Sequence, residues 1–104
     1  MVFVETPVFT KLVTAALSDA DYAAFQNCLA DQPDAGRLII GGGGIRKVRW
    51  AVPGAGKRGG LRVIYYWRAA EDRIYLLYLF SKNARTDLTR NQVNQLAGEA
   101  KALR

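Results

Sequence analysis

The sequence predicts an α+β fold, in which two N-terminal helices and one C-terminal helix pack on a small, twisted antiparallel sheet. Apolar residues recur at helical spacing in the first third, alternate as in strands over residues 37–80, and return to helical spacing after residue 83. Consecutive strands joined by short turns pair antiparallel, and helices then cover the sheet. Because the chain has 104 residues, we expect a single domain over residues 1–104.

The N-terminal third predicts a short strand followed by two helices. Residues 2–4 are apolar and predict a strand that ends before Pro7, a residue that suits the first turn of a helix. Ser18 predicts the start of a second helix, which ends before Pro33. Cys28 lies beside the apolar face of this helix, and we expect it to be a small buried side chain and not a reactive thiol.

The middle of the chain predicts a hairpin with one basic face. Residues 45–52 predict a strand in which Val48, Trp50 and Val52 share an apolar face while Lys47 and Arg49 share the opposite face. A glycine-rich loop returns the chain to a second strand over residues 61–68. Residues 74–80 are apolar almost throughout, which is typical of a central strand covered on both faces.

Two shorter patterns complete the order of elements. Residues 37–40 predict a short strand, and the four glycines at residues 41–44 predict a turn after it. Thr89 and Gln92 have the spacing of a capping box and predict the start of the C-terminal helix.

Charge is unevenly distributed along the chain. The formal net charge is +6, yet residues 1–36 hold one basic and five acidic residues, whereas residues 37–68 hold eight basic residues and no acidic one. This segregation creates a local positive field that suits a polyanion such as nucleic acid, or an acidic protein partner. The alternative is a merely solubilising surface, but solvated faces usually mix both signs.

The composition excludes several kinds of site. With no histidine and one cysteine, the chain lacks the nitrogen and sulfur ligands of a zinc centre, and we expect neither a metal nor a cofactor. No apolar run approaches the roughly 18 residues that cross a membrane, and no secretory signal is evident, so we expect a cytoplasmic protein. Residues 54–58 do not form a nucleotide-binding loop, because Ala51 and Arg58 stand where it needs Gly and Ser or Thr.

Two adjacent strands predict a cluster of cations. Lys47 and Arg49 share a face of one strand, and Arg62, Ile64 and Tyr66 share a face of the next. If the register aligns them, one lysine and two arginines surround one position, where guanidinium groups suit phosphate oxygens. The tyrosine is a candidate for stacking on an unpaired base. The alternative is ordinary charge on a solvated sheet face.

These segments resemble the RelE-type toxins, and within them the HigB branch. Residues 44–49, 54–66, 76–83 and 87–89 carry the resemblance, most specifically the basic strand, the Gly-Lys-Arg-Gly-Gly hairpin and the Arg-x-Ile-Tyr-Tyr strand. It implies a RelE-like fold and a metal-independent endoribonuclease, or mRNA interferase, that cleaves mRNA in the ribosomal A site. It also implies a cognate antitoxin with a helix-turn-helix part, of the HigA kind.

The resemblance also implies roles for individual residues. In that family the 2′-hydroxyl of the RNA attacks the adjacent phosphate, which gives a cyclic phosphate and a free 5′-hydroxyl. Lys47 would lie nearest the attacking hydroxyl with Arg49 beside it, Arg62 would stabilise the phosphorane, and Lys82 would assist the leaving oxygen. The remaining predicted RNA-binding residues are Arg46, Lys57, Arg58, Tyr66 and Arg85.

The chain departs from the family pattern in two places, and two rival functions stay open. Asn83 stands where the family often has arginine, so that Lys82 or Arg85 would take its role, and no tyrosine follows Tyr78 in the C-terminal region. The ParE toxins resemble RelE in fold but act on DNA gyrase, and they generally lack the basic cluster. The third interpretation is an RNA-binding module without activity.

Overall fold

The computed structural model describes residues 1–51, 60–82, 84 and 87–103. One sheet contains five strands, which are β1 (Val2–Glu5), β2 (Arg37–Leu38), β3 (Ile45–Trp50), β4 (Leu61–Arg68) and β5 (Arg73–Ser81). The three helices are α1 (Pro7–Ala16), α2 (Asp19–Asp31) and α3 (Arg90–Ala102). The predicted α+β class, with an N-terminal helix pair and a C-terminal helix, is confirmed.

The strands lie in the order β1-β5-β4-β3-β2. From β2 to β5 each consecutive pair is antiparallel, as predicted from their short connections. β1 instead pairs parallel with β5, with Val2 opposite Arg73, so the sheet is mixed. The antiparallel pairing was predicted only for strands that follow one another through short turns. Two helices separate β1 from the next strand, so that prediction did not cover the position of β1 in the sheet.

Local sequence signals account for the ends of the helices. The Thr6 side chain accepts a hydrogen bond from Phe9 N at the start of α1, and the Ser18 side chain accepts one from Asp21 N at the start of α2. At α3 the predicted capping box is present in full. Each cap satisfies an N–H group that has no partner inside its helix. Within the described ranges, no helix combines the length and apolar character needed to cross a membrane.

The sheet separates two apolar clusters. The cluster between the sheet and the N-terminal helix pair contains Phe9, Val13, Phe25, Leu29, Leu61, Val63, Tyr65, Ile74, Leu76 and Leu79. The cluster between the opposite face of the sheet and α3 contains Ile45, Ile64, Tyr75, Leu77, Phe80, Leu96 and Ala100. Residues of β4 and of β5 occur in both clusters. The prediction that residues 74–80 form a central strand covered on both faces is therefore confirmed.

Two predictions about the chain before β3 need correction. Cys28 is exposed, contrary to the prediction that it is buried. The buried residues of α2 are Phe25 and Leu29. Because successive residues of a helix are rotated by about 100° around its axis, the side chain of Cys28 points away from Leu29 and out of the core. The short strand predicted over residues 37–40 is also shorter, since β2 ends at Leu38.

Candidate functional site

A pocket of about 600 Å³ opens on the face of the sheet that also carries the α3 cluster. Five of its described lining residues are cations, and none is acidic. The described lining residues are Ala35, Arg37, Lys47, Val48, Arg49, Arg62 and Lys82. The pocket therefore brings together all four residues for which the resemblance implied catalytic roles, and it adds Arg37.

The register of the strands explains why these side chains meet. Arg49 lies directly opposite Arg62 in the β3–β4 ladder, and Lys47 lies opposite Ile64, one residue pair further along the same face. Directly opposite side chains have Cβ atoms about 5 Å apart. Lys82 follows the last residue of β5, and its backbone N–H donates to Gly60 O over 3.3 Å, which keeps it beside the start of β4.

The cations differ in how much water reaches them. Arg62 is 7% exposed and is the buried charged residue of the described chain, whereas Arg49 is exposed and Lys47 is partly buried. Among the described residues, neither Arg49 nor Arg62 has an ion-pair partner. Burying a cation without a partner and placing two like charges opposite each other both raise the free energy of the folded chain. An anion in the pocket would offset both effects.

Asp87 is the acidic residue that approaches this cluster, and the sequence analysis gave it no role. Its Oδ1 lies 3.0 Å from Lys47 Nζ and also accepts a hydrogen bond from Leu88 N over 2.8 Å. The bond from Leu88 N, then the bond from Lys47 and the nearby charge of Arg62, hold the pKa of the Asp87 carboxyl below its usual range. The sequence signal that could have identified Asp87 is that it is the only acidic residue between residues 73 and 98.

The pocket wall formed by Ala35 and Arg37 is held from the opposite side of the sheet. The hydroxyl of Tyr65, on β4, accepts from Gly36 N over 2.9 Å and donates to Pro33 O over 2.6 Å. A Cβ at Gly36 would lie 2.8 Å from a ring carbon of that tyrosine, so only glycine fits there. Arg37 then lies opposite Lys47 in the β2–β3 pair, which places it at the pocket.

The residues predicted to contact RNA outside the cluster occupy other places. Arg46 points to the other face of β3, as strand alternation requires, and donates to Gly36 O over 2.8 Å. Tyr66 is partly buried and stacks on Tyr75 with ring centroids 6.4 Å apart. Neither belongs to the described pocket lining. Lys57, Arg58 and Arg85 lie outside the described residues.

The fold and the pocket define a small α+β protein that carries a cationic cavity, built by neighbouring strands, on one face of its sheet. A family model described as the RelE toxin of the RelE/RelB toxin–antitoxin system matches residues 8–104. The chain therefore belongs to the RelE toxin family, and the predicted resemblance to RelE-type toxins is confirmed. It is a toxin of a toxin–antitoxin system, in which RelE toxins pair with an antitoxin.

Proposed function

We propose that this toxin is a metal-independent endoribonuclease that cleaves mRNA on the ribosome and so inhibits translation. The observation that carries the proposal is the cationic pocket, in which Lys47, Arg49 and Arg62 share one face of two adjacent strands. A volume of about 600 Å³ offers room for a phosphate group with its flanking sugars. Positive charge without an acid in the described lining suits an RNA backbone.

The reaction needs only the RNA, the side chains of the pocket and water. The 2′-oxygen forms a bond to the adjacent phosphorus as the hydroxyl loses its proton, and the bond from phosphorus to the 5′-oxygen breaks as that oxygen gains a proton. The ammonium group of Lys47 stabilises the negative charge on the 2′-oxygen while its proton passes to water, and Lys82 donates the second proton. The products are a 2′,3′-cyclic phosphate and a free 5′-hydroxyl.

Arg62 contributes most to stabilising the phosphorane in this scheme. Arg62 is 7% exposed, so its charge acts in a medium that screens it less than water does. It is also held in place before substrate arrives, since it lies in the ladder between Leu61 and Val63, which are both buried. A preorganised cation of this kind stabilises charge that develops in the transition state without rearrangement. Arg49, which is exposed, adds a second guanidinium from the opposite strand.

The partners follow from the same proposal. The basic residues Arg46, Lys57, Arg58 and Arg85, with Tyr66, would contact RNA beyond the reacting phosphate. The ribosome would present the mRNA, and the cognate antitoxin would be a HigA-like protein with a helix-turn-helix part. This assignment of the antitoxin rests on family analogy and not on the pocket.

The experiment that tests the proposal maps RNA ends after brief expression of the toxin in growing cells. We expect new 5′-hydroxyl ends within coding regions, and we expect Lys47→Ala and Arg62→Ala to reduce cleavage by at least about 100-fold. Lys11→Ala, which removes an exposed cation from α1 outside the pocket, is the matched control and should cleave normally. Circular dichroism and antitoxin binding show whether each variant is folded.

Other outcomes would identify the rival functions. Undiminished cleavage by both pocket variants would remove the catalytic role of the cluster. Intact transcripts together with a DNA-damage response would favour a gyrase-inhibiting toxin of the ParE kind, and translation arrest without new RNA ends would favour an RNA-binding module that has no activity.

A further inference from the structure

A smaller cavity, of about 160 Å³, lies next to the cationic pocket and has a different chemistry. Its inner wall is apolar and comes from α2 and β3, and its rim carries the polar side chains of Cys28 and Gln32. We call this cavity the apolar slot. The residues of its inner wall are Phe25, Leu29, Val48 and Trp50.

The slot and the pocket are continuous around the edge of β3. Ala35, Val48 and Arg49 line both cavities. β2 pairs with β3 only at Arg46 and Lys47, so in the described chain no strand covers β3 on that side from Val48 onwards. A ligand that binds in the pocket through a phosphate can therefore extend around this edge into the slot.

We propose that the apolar slot binds an unpaired nucleobase of the same RNA whose phosphate occupies the cationic pocket. This inference rests on the proposed function, because it takes RNA as the ligand of the pocket. A nucleotide combines an anionic phosphate with a flat apolar face, and the two adjacent cavities have the complementary properties. A peptide or a lipid without a phosphate would match the slot alone.

Trp50 is the ring at the slot that suits stacking, because it is only partly buried, whereas Phe25 is 2% exposed. Phe25 meets Trp50 edge to face, with centroids 5.4 Å apart and planes at 72°, so the two rings do not cover each other face to face. Bases stack on aromatic side chains with little dependence on sequence, because every base has a π-face. The guanidinium of Arg49, which lines both cavities, can stack on a base or bind its phosphate.

The test uses an RNA mimic that the toxin cannot cleave. A short 2′-deoxy oligonucleotide lacks the attacking hydroxyl, and a matched oligonucleotide in which one base at a time is replaced by an abasic unit keeps every phosphate. We expect one abasic position to weaken binding by about tenfold or more, which is the scale of one stacked base. In a Trp67→Phe variant, in which Trp50 is the one tryptophan left, quenching of its fluorescence should accompany binding of the complete probe and be absent for that abasic probe.

Filling the slot tests its location. Cys28→Phe adds a ring at the rim from an exposed position that does not line the cationic pocket, and Asn27→Phe, at the neighbouring exposed position of α2, is the matched control. The first variant should lower the affinity for the complete probe to that of the abasic probe, and the control should not. Alkylation of the single cysteine with a bulky maleimide on the folded native protein should have the same effect without any change in sequence.

The outcomes separate this inference from the proposed function. Equal affinity for complete and abasic probes, or normal base-dependent binding by Cys28→Phe and by the alkylated protein, would overturn the base-binding slot even if the toxin cleaves mRNA. A second outcome is that the native protein binds in a base-dependent way, that Cys28→Phe and the alkylated protein do not, and that the toxin leaves mRNA intact. This outcome would support the slot while the nuclease proposal fails. Failure of the native protein to bind either probe would overturn the base-binding slot, whereas the nuclease proposal is decided by the mapping of RNA ends in cells.

Discussion

The two ends of the β3–β4 ladder have opposite chemistry on the same face of the sheet. At one end Ile45 lies opposite Tyr66 and belongs to the apolar cluster with Leu96 of α3. At the other end, four residues along β3, Arg49 lies opposite Arg62 and both line the cationic pocket. The position of α3 over part of the sheet thus lets a single pair of strands form both core and site.

The difference between the two ends follows from the free energy of burial. Covering the apolar end removes hydrocarbon from water, which stabilises the fold. Covering the cationic end would remove the exposed guanidinium of Arg49 from water beside the already buried Arg62, without an acid to pair either of them, which would cost more than the packing gains. Lys47, opposite Ile64, lies between the two ends, and its ion pair with Asp87 joins the pocket to the segment that leads into α3.

The largest expected effect is loss of stability at the apolar end. Ile45→Ala removes a side chain that is 0% exposed, and we expect it to lower the free energy of unfolding by about 2 to 5 kcal/mol, through lost burial and the cavity left behind. Arg49→Ala, at the same face of the same strand, is the matched variant and should change stability by less than about 0.5 kcal/mol. Denaturant unfolding of both would measure this. Equal losses would mean that the two ends are not energetically distinct.

A smaller loss of stability is expected at Tyr65, which holds the pocket wall from the opposite face of the sheet. Tyr65→Phe removes the hydroxyl that bonds to both Gly36 N and Pro33 O, and it should cost about 1 to 3 kcal/mol because those groups lose a buried partner. The segment that carries Ala35 and Arg37 should then exchange its amide hydrogens faster. Hydrogen exchange measures this directly. Unchanged protection of Gly36 would show that other contacts hold the wall.

The smallest effect is expected at the link between the pocket and α3. Asp87→Asn keeps an acceptor for Leu88 N but removes the charge, so stability at neutral pH should fall by at most about 1 kcal/mol, as for exposed ion pairs. It should also tighten binding of anionic oligonucleotides, because Lys47, which lines the pocket, no longer pairs with a competing carboxylate. Binding titrations at low and high salt would measure this second effect. Weaker binding by the variant would show that Asp87 positions Lys47 for the RNA instead of competing with it.

The same variant gives a defined pH dependence. Because the folded chain depresses the pKa of Asp87, the carboxylate stabilises the fold above the pKa of the unfolded chain, and this contribution is lost as the pH falls through the folded value. The native protein should therefore lose more stability than Asp87→Asn below about pH 4, where unperturbed aspartate titrates. Parallel stability curves for the two proteins between pH 7 and pH 2 would contradict this expectation.

The features that could be predicted are those governed by neighbours in sequence. The ends of β4 agree with the prediction over residues 61–68, and the capping box at Thr89 and Gln92 is present, because both depend on side chains within a few residues. Strand alternation also predicted that Lys47 and Arg49 share a face. Cys28 was wrongly predicted as buried because the apolar face of α2 is narrow, and its width depends on what packs against it.

By itself, the sequence determined the order of helices and strands, the antiparallel pairing of consecutive strands and the separation of the acidic N-terminal part from the basic middle. Only the tertiary structure decided that β1 lies parallel to β5, that Arg37 reaches the pocket, that an apolar slot adjoins it, and that Lys47 meets Asp87 across 40 residues of chain. The physical reason is that periodicity and capping act over one or two turns. The contacts that build the site join distant segments, and they form only when the whole chain balances burial of its apolar faces against hydration of its charges.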